Sequence, residues 1–312
     1  MSDLANESLD SLTKGVHYDK QITQYETIIK ETFHILKEHQ SIQQRVGTYV
    51  EISFEDYRDL QIPSILKETL QQFLKKYKTP KILIVGLGNQ YLTCDAIGPR
   101  SLRDLRVTHY LNQQQRSEQH FFDIMAIVPG VMVHTGMESS DIVKAIVEKK
   151  GIDVVIAIDA LCAKSYSKLA SVIQVNNVGI LPGGGIKNHR KAINKEIIGC
   201  DVIALGVPTV VYASSLVKEV LTTTIDYFGD QINQKNILKI GKRKKYDGNL
   251  STSQKEMMLG HLGTLNESEL EYLFQEVLTP IDRNMVLSDK QIDEQCTVLA
   301  KYISQSINDL RC

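Results

Sequence analysis

The sequence predicts an α/β fold: a three-layer, mostly parallel sheet flanked by helices, with extra helices at both ends of the chain. Near-continuous runs of β-branched and other apolar residues recur at 81–87, 153–158 and 201–205. Such runs are typical of strands that helices cover on both faces. Ligands of these sheets bind outside the carboxyl ends of the strands, so we expect the functional residues there.

The residues before the core predict a partly helical extension. Residues 1–45 are polar and carry an intermittent apolar stripe, which favours helix. Residues 46–54 alternate in hydrophobicity and predict a strand, whereas 63–77 predict an amphipathic helix. Pro63 begins that helix, because the first helical turn needs no hydrogen bond from its own nitrogen.

The core, about residues 80–230, predicts strands and helices in alternation. A further strand is expected at 121–128, and 141–150 has the apolar spacing of a helix. Gly151 follows that helix and predicts its end. A longer helix is expected at 214–227.

The last part of the chain predicts additional helices after the core. Their apolar spacing places them at about 267–278 and 288–310. We therefore expect a single α/β domain over residues 1–312, in which 1–79 and 231–312 decorate the core.

Composition narrows the classes of function. The 312 residues include 36 Lys and Arg against 37 Asp and Glu, so no overall charge attracts the protein to nucleic acid or to a membrane. No signal-like or membrane-length apolar run is visible. The five cysteines show no metal or disulfide spacing, which predicts a reduced, cytoplasmic setting.

Two aspartates are the strongest candidates for chemistry. Asp95 lies in a turn bounded by glycine and proline, and Asp159 follows the apolar run 154–158. Burial at the end of such a run disfavours the charged form of Asp159 and raises the pKa of a carboxyl group. Two carboxylates in one crevice can divide the acid and base roles toward water. A hydrolase is the first hypothesis, and a capping or structural role for each aspartate is the alternative.

Several glycine segments have less specific patterns. Gly86 and Gly88 begin a dinucleotide fingerprint, but Tyr91 stands where its third glycine belongs. Gly183 to Gly185, followed by a basic run, can cradle an anion or form a simple connector. Residues 206–211 predict a turn at the same sheet edge. A nucleotide- or anion-binding module therefore stays open.

The segment after strand 121–128 offers polar groups of its own. Thr135 and the neighbouring backbone can shape a peptide-binding crevice, while His134 and Glu138 suggest a metal pair without a third ligand. Cys94 and Cys162 are candidate nucleophiles or small buried apolar residues. The sequence predicts no metal and no cofactor, and a metal-dependent peptidase is kept as an alternative.

Five motifs follow one another along the core. They are Gly86-Leu87-Gly88-Asn89 with Thr93-x-Asp95-Ala96-x-Gly98-Pro99, Pro129-Gly130-Val131-Met132 with Thr135-Gly136-x-Glu138, Val155-Ile156-Ala157-Ile158-Asp159-Ala160-Leu161, Gly183-x-Gly185-x-x-Asn188-x-Arg190-Lys191, and Ile203-Ala204-Leu205-Gly206-Val207-Pro208-Thr209. In this order they resemble the germination protease family of spore-forming bacteria.

The resemblance implies an endopeptidase that degrades small acid-soluble spore proteins in the spore core during germination, with Asp95 and Asp159 as the catalytic pair. It also implies a fold related to the hydrogenase-maturation proteases, a homotetramer, and synthesis as a zymogen. No direct nucleic-acid or membrane partner is expected. The residues expected to bind substrate or the oxyanion are Gly88, Asn89, Thr135, Gly183, Gly185, Arg190 and Lys191.

The chain departs from the family pattern at a few positions. Cys94 replaces the proline before the first aspartate, Tyr212 replaces an aspartate, and His189 replaces a basic residue. The sequence also begins close to the point where the family's pro-segment ends. An inactive family member is therefore a further alternative.

Overall fold

The computed structural model describes residues 3–4, 7, 18–36, 46–182, 191–232, 250–278 and 285–311. Its strands are β1 Tyr18–Gln24, β2 Ile28–Ile35, β3 Gly47–Phe54, β4 Lys81–Gly86, β5 Asp123–Ile127, β6 Val154–Ala163, β7 Val172–Asn176, β8 Asp201–Tyr212 and β9 Val286–Leu287. Its α-helices are α1 Ile62–Leu74, α2 Ile97–Ser101, α3 Gln113–Glu118, α4 Met132–Thr135, α5 Ser139–Lys150, α6 Lys195–Ile198, α7 Ala213–Ile232, α8 Thr252–Leu259, α9 Glu267–Leu278 and α10 Ile292–Asn308.

The chain divides into two compact units. The larger comprises Met1–Ala163, Ser167–Val210 and Ser288–Cys312, and the smaller comprises Lys164–Tyr166 and Val211–Leu287.

The sheet of the larger unit is mixed. Its strands follow the order β1-β2-β3-β7-β8-β6-β4-β5. Strand β4 pairs in parallel with β5 and with β6. Strands β1, β2, β3, β7 and β8 pair antiparallel in succession. The α/β class is confirmed, but the expected mostly parallel sheet describes only the part that contains β4, β5 and β6.

The structure contradicts the expected helical start of the chain over residues 18–36, although Glu7 is helical. Residues 18–24 and 28–35 are paired strands, with Ile29 opposite Gln24. Apolar Ile28, Phe33 and Ile35 are buried along β2. Their irregular spacing resembles a weak helical stripe, and only pairing with β1 and β3 makes the strand favourable. Residues 8–17 and 37–45 lie outside the described residues.

Helices cover both faces of the sheet in the larger unit. Ile82 and Ile84 pack in a core cluster with residues of α1 and α10. Leu83 and Val85, which alternate with them, pack in a second cluster with residues of α5. Because successive side chains of a strand point to opposite faces, a continuous apolar strand requires cover on both sides.

The helices that frame the core begin and end close to their predicted positions. Pro63 stands in the first turn of α1. Helix α5 ends at Gly151, whose φ of +62° is left-handed. Glycine has no Cβ to clash in that conformation, so it ends the helix at little cost. Helix α10 falls within the predicted 288–310.

The smaller unit is mostly helical. It contains α7, α8 and α9, and β9 pairs antiparallel with Val211 and Tyr212. Helices were expected at 214–227 and 267–278, and both are confirmed. The expected turn at 206–211 is wrong, because β8 continues from Asp201 to Tyr212. Across the described parts of both units, no helix is long and apolar enough to span a bilayer.

Candidate functional site

Strands β4 and β6 bring the two candidate aspartates to one edge of the sheet. In the parallel pairing Gly86 lies opposite Ile158, and the backbone N–H of Leu87 donates to the Ile158 carbonyl oxygen at 2.8 Å. Asp159 is the next residue of β6. Asp95 ends the short 3-10 turn Thr93–Asp95 that follows β4. Both aspartates therefore lie just beyond the residues of β4 and β6 that pair in parallel.

Asp159 lies within β6 rather than at its end. The strand continues to Ala163, so Asp159 stands one position beyond the last residue paired with β4. Its residue surface is only 4% exposed. Its carboxylate accepts a hydrogen bond from the backbone N–H of Ala160 at 2.9 Å. The carboxylate is thus held in a largely desolvated position.

The turn that carries Asp95 is closed by the aspartate itself. The Asp95 carboxylate accepts a hydrogen bond from the backbone N–H of Asn89 at 2.7 Å. The backbone N–H of Asp95 in turn donates to the Leu92 carbonyl oxygen at 2.8 Å. Asn89, expected to bind substrate or the oxyanion, therefore gives its backbone donor to the half-buried Asp95.

Two glycines allow this turn to lie against the strands. Gly88 has φ +104°, and a Cβ there would stand 2.0 Å from the Asp95 carbonyl oxygen and 2.9 Å from its Oδ1. A Cβ at Gly98 would stand 2.5 Å from the Ile158 carbonyl oxygen. Any side chain at either position would push the Asp95 turn away from β4 and β6. The two glycines thus allow the backbones to approach closely. This role agrees with the dinucleotide pattern being incomplete in the sequence.

Strand β8 adds a support that sequence reasoning did not find. The Thr209 side chain is fully buried, and its hydroxyl donates to the carbonyl oxygen of Cys94. Ser288 donates to the Thr209 carbonyl oxygen at 2.7 Å. In the sequence, the only sign of this support was the Thr209 hydroxyl among the apolar residues of β8. Its partner, Cys94, is 115 residues away.

Helix α2 is also anchored by a contact that the sequence did not indicate. The Arg100 guanidinium lies 2.6 Å from the Asp293 carboxylate and donates to the Thr297 hydroxyl at 3.0 Å. Both partners belong to α10. The helix directly after Asp95 is therefore fixed to α10.

Cys94 does not have the surroundings of a nucleophile. Burial, followed by the charge of Asp95, raises the pKa of the Cys94 thiol. A raised pKa keeps the group as the weakly reactive thiol instead of the thiolate. Cys94 is a half-buried residue of the turn.

The segment after β5 lies beside the turn after β4. The rings of His134 and Tyr91 meet edge to face with centroids 6.1 Å apart. The Thr135 hydroxyl donates toward the Val131 carbonyl oxygen at 3.3 Å and accepts from the Met137 N–H at 3.2 Å. Thr135 thus stabilises its own short helix.

The remaining predicted residues divide between described and undescribed parts. Lys191 is exposed, and its Nζ lies 3.0 Å from the Asp141 carboxylate, in the first turn of α5. Gly183, Gly185 and Arg190 lie outside the described residues. Within the described ranges, no group of three or more His, Cys, Asp and Glu side chains is arranged to hold a metal ion.

Comparison with known proteins gives a consistent result. The family model described as germination protease matches residues 3–310. A germination protease of Geobacillus sp. (strain WCH70) is 35% identical over 290 residues, which cover 86% of this chain and 78% of the relative. The germination protease of Bacillus cereus (strain G9842) is 36% identical over 284 residues, which cover 84% of this chain and 77% of the relative. The germination protease of Oceanobacillus iheyensis is 36% identical over 266 residues, which cover 80% of this chain and 72% of the relative.

Proposed function

This chain belongs to the germination protease family, and we propose that it is an endopeptidase whose Asp95 and Asp159 activate water to cleave small acid-soluble spore proteins. Membership of the family supports a protease that acts in spore germination. The assignment of the two aspartates and the substrate are our proposal.

The single observation that supports the aspartate pair is the register of β4 and β6. Gly86 pairs with Ile158, which places the residues after both at the same edge of the sheet. Gly98 then packs its backbone on Leu87 and Ile158, so the turn that carries Asp95 lies over the junction of the two strands. From this arrangement we propose that the Asp95 and Asp159 carboxyl groups reach one shared water molecule.

Amide hydrolysis assigns distinct tasks to these groups. One carboxylate takes a proton from the attacking water, and the other gives a proton to the leaving nitrogen. The two groups titrate as a coupled pair. Since the Asn89 N–H already donates to Asp95, we assign the oxyanion donor to the backbone of Gly88 and to Gly183 and Gly185.

Substrate binding completes the proposal. Arg190 and Lys191 are cations that suit acidic side chains of a substrate, and Thr135 shapes the neighbouring crevice. By the family relationship, we propose synthesis as a zymogen, a homotetramer, action in the spore core, and a fold related to the hydrogenase-maturation proteases. Residues 1–312 would act as one peptidase domain.

Replacement of each aspartate tests the mechanism. Asp95→Asn and Asp159→Asn keep the side-chain size but remove the acid, so each should lower kcat for a small acid-soluble spore protein by at least about 10³-fold, which lies within the range of about 10²- to 10⁴-fold that a general acid or base contributes. Substrate cleavage is followed by gel and mass spectrometry, and thermal melting shows that each variant is folded.

The matched control is Asp104→Asn, at an exposed aspartate on the surface of the larger unit. It should cleave at the wild-type rate. Unchanged turnover in both Asp95→Asn and Asp159→Asn would remove the aspartate mechanism. Loss of wild-type activity after exhaustive chelation, with recovery on adding a metal, would favour the metal-dependent alternative.

A further inference from the structure

A cavity of about 590 Å³ opens at the opposite edge of the sheet in the larger unit. Val154, the first residue of β6, and Asp201, the first residue of β8, both line it. Asp159 lies five residues further along β6, roughly 17 Å away at about 3.3 Å per residue. The cavity is therefore separate from the edge that carries the two aspartates.

The cavity forms where helical cover of the sheet ends. On one face of β2 and β3, Ile28, Ile52 and Phe54 are buried in the core cluster that includes α1. Two-residue spacing places Thr32, His34 and Thr48 on the same face, and these three line the cavity. Helix α1 ends at Leu74. The sheet face thus changes from apolar to polar where the helix stops covering it.

Positive charge is concentrated at one wall. The Asp201 carboxylate binds the ammonium groups of Lys76 and Lys195 and the hydroxyl of Tyr77. Among the described lining residues, Lys76, Lys195 and Asp201 carry the formal charges when His34 is neutral, so two cations and one anion leave a net charge of +1. Asp201 holds the two ammonium groups close together, and each keeps further N–H donors.

The other walls offer both hydrogen bonds and apolar surface. The Asn177 Oδ1 accepts from the Thr48 N–H at 2.9 Å, so the Asn177 amide nitrogen is its remaining hydrogen-bonding group. His34 Nδ1 and Thr48 Oγ1 are hydrogen-bonded at 3.0 Å. The apolar lining consists of Val50, Phe73, Val154, Val202 and Ile203. The lining is thus mixed, and the volume lies within the range of about 300–1,000 Å³ that is typical of small-molecule sites.

We propose that this cavity binds a small molecule that carries one carboxylate or phosphate group on an apolar, ring-sized body. The anionic group contacts the ammonium groups of Lys76 and Lys195, and the body packs against Phe73 and the Tyr77 ring. Ammonium groups bind either anion as point charges, whereas the aromatic rings favour a flat apolar partner. The site does not depend on the proposed peptidase function.

Four probe compounds test the chemistry by isothermal titration calorimetry. Phenyl phosphate and benzoate have both the charge and the body, benzamide lacks the charge, and inorganic phosphate lacks the body. Whichever of phenyl phosphate and benzoate binds more tightly should occupy one saturable site. Its affinity should be at least about tenfold higher than that of benzamide or inorganic phosphate. The ratio of phenyl phosphate to benzoate affinity distinguishes a phosphate from a carboxylate ligand.

Variants locate the binding. Lys76→Gln and Lys195→Gln should each weaken the anionic probes at least about tenfold, and both side chains are more than half exposed, at 62% and 73%, so the fold should be kept. Thr32→Phe should block binding by filling the cavity while both lysines remain. The matched control Lys149→Gln, at an exposed lysine of α5, should bind like the wild type.

Three results would overturn the proposal: no saturable binding of either anionic ring, equal binding of benzamide, or unchanged binding in both lysine variants. Asp95→Asn and Asp159→Asn proteins should bind the probes like the wild type. Because binding is measured without substrate, failure of this proposal leaves the peptidase proposal standing, and the reverse also holds.

Discussion

At the scale of single residues, the position of Asp95 depends on a glycine seven residues before it. Gly88 combines a positive φ with a close approach to the Asp95 backbone and carboxylate. In the sequence, Gly88 was visible only as part of an incomplete dinucleotide fingerprint. The partner of Gly88 could not be predicted, because the contact depends on how the turn folds back.

Gly88→Ala should therefore damage activity as well as stability. A left-handed conformation costs a non-glycine residue about 1–2 kcal/mol, and the added Cβ also displaces Asp95, which stands 2.0 Å away through its carbonyl oxygen. We expect at least a tenfold loss of kcat. Chemical denaturation and substrate cleavage measure the two effects.

Gly151→Ala is the control for this prediction. Gly151 also has a positive φ, +62°, but a Cβ there would meet nothing within 4 Å. The free energy of unfolding of Gly151→Ala should fall by a similar conformational contribution, and its kcat should equal that of the wild type. Equal kcat in the two variants would show that Gly88 has no part in positioning Asp95.

At the scale of elements, long regular patterns were predictable and paired strands with irregular patterns were not. Helices α5, α7 and α9 follow apolar spacing that is visible in the sequence. Strand β1 is largely polar, the apolar residues of β2 are irregularly spaced, and β2 pairs with both β1 and β3. The continuation of β8 through Gly206 and Pro208 was likewise hidden, because these residues usually mark turns.

The charged groups at the start of β8 should make the stability of the fold depend on pH. Burial opposes ionisation of Asp201, but hydrogen bonds from Lys76, Tyr77 and Lys195 outweigh it and lower the pKa of this carboxyl group. A lowered pKa in the folded state stabilises the fold above the ordinary value of 3.8, and this stabilisation is lost as the pH falls below it.

Asp201→Asn should lower the free energy of unfolding at pH 7 by about 1–3 kcal/mol, because it breaks charged hydrogen bonds. The difference from the wild type should shrink as the pH falls below 3.8. Urea denaturation at several pH values measures it, with Asp104→Asn as the exposed control. A difference that stays constant down to the lowest pH would contradict the assigned ion pairs.

At the scale of the whole molecule, the resemblance seen in the sequence extends over nearly the entire chain and is confirmed, since the family model matches residues 3–310. The ordered succession of the core motifs made this possible, because chance similarity rarely preserves such an order. The Arg100 contact with α10 and the Thr209 contact with Cys94 were not predictable. Both join residues more than 100 positions apart in the chain.

We predict a homotetramer in solution, and the smaller unit offers apolar surface that is consistent with it. Met257, Tyr272 and Val277 are 84%, 69% and 63% exposed, and exposed apolar patches commonly mark protein interfaces. Light scattering should give four times the 35.2 kDa mass of one chain. Tyr272→Glu should lower this mass, whereas Tyr110→Glu, at a residue 77% exposed in the larger unit, should not. A monomeric wild type would contradict the prediction.

The position of α10 in the chain bears on how the protein is made. Residues 211–287 separate α10 from the rest of the larger unit, and α10 supplies the partners of Arg100 in α2. A nascent chain emerging from the ribosome presents both aspartates long before that helix exists to fix α2. The newly made polypeptide therefore completes the support of α2 only after residues 292–308 have been synthesised.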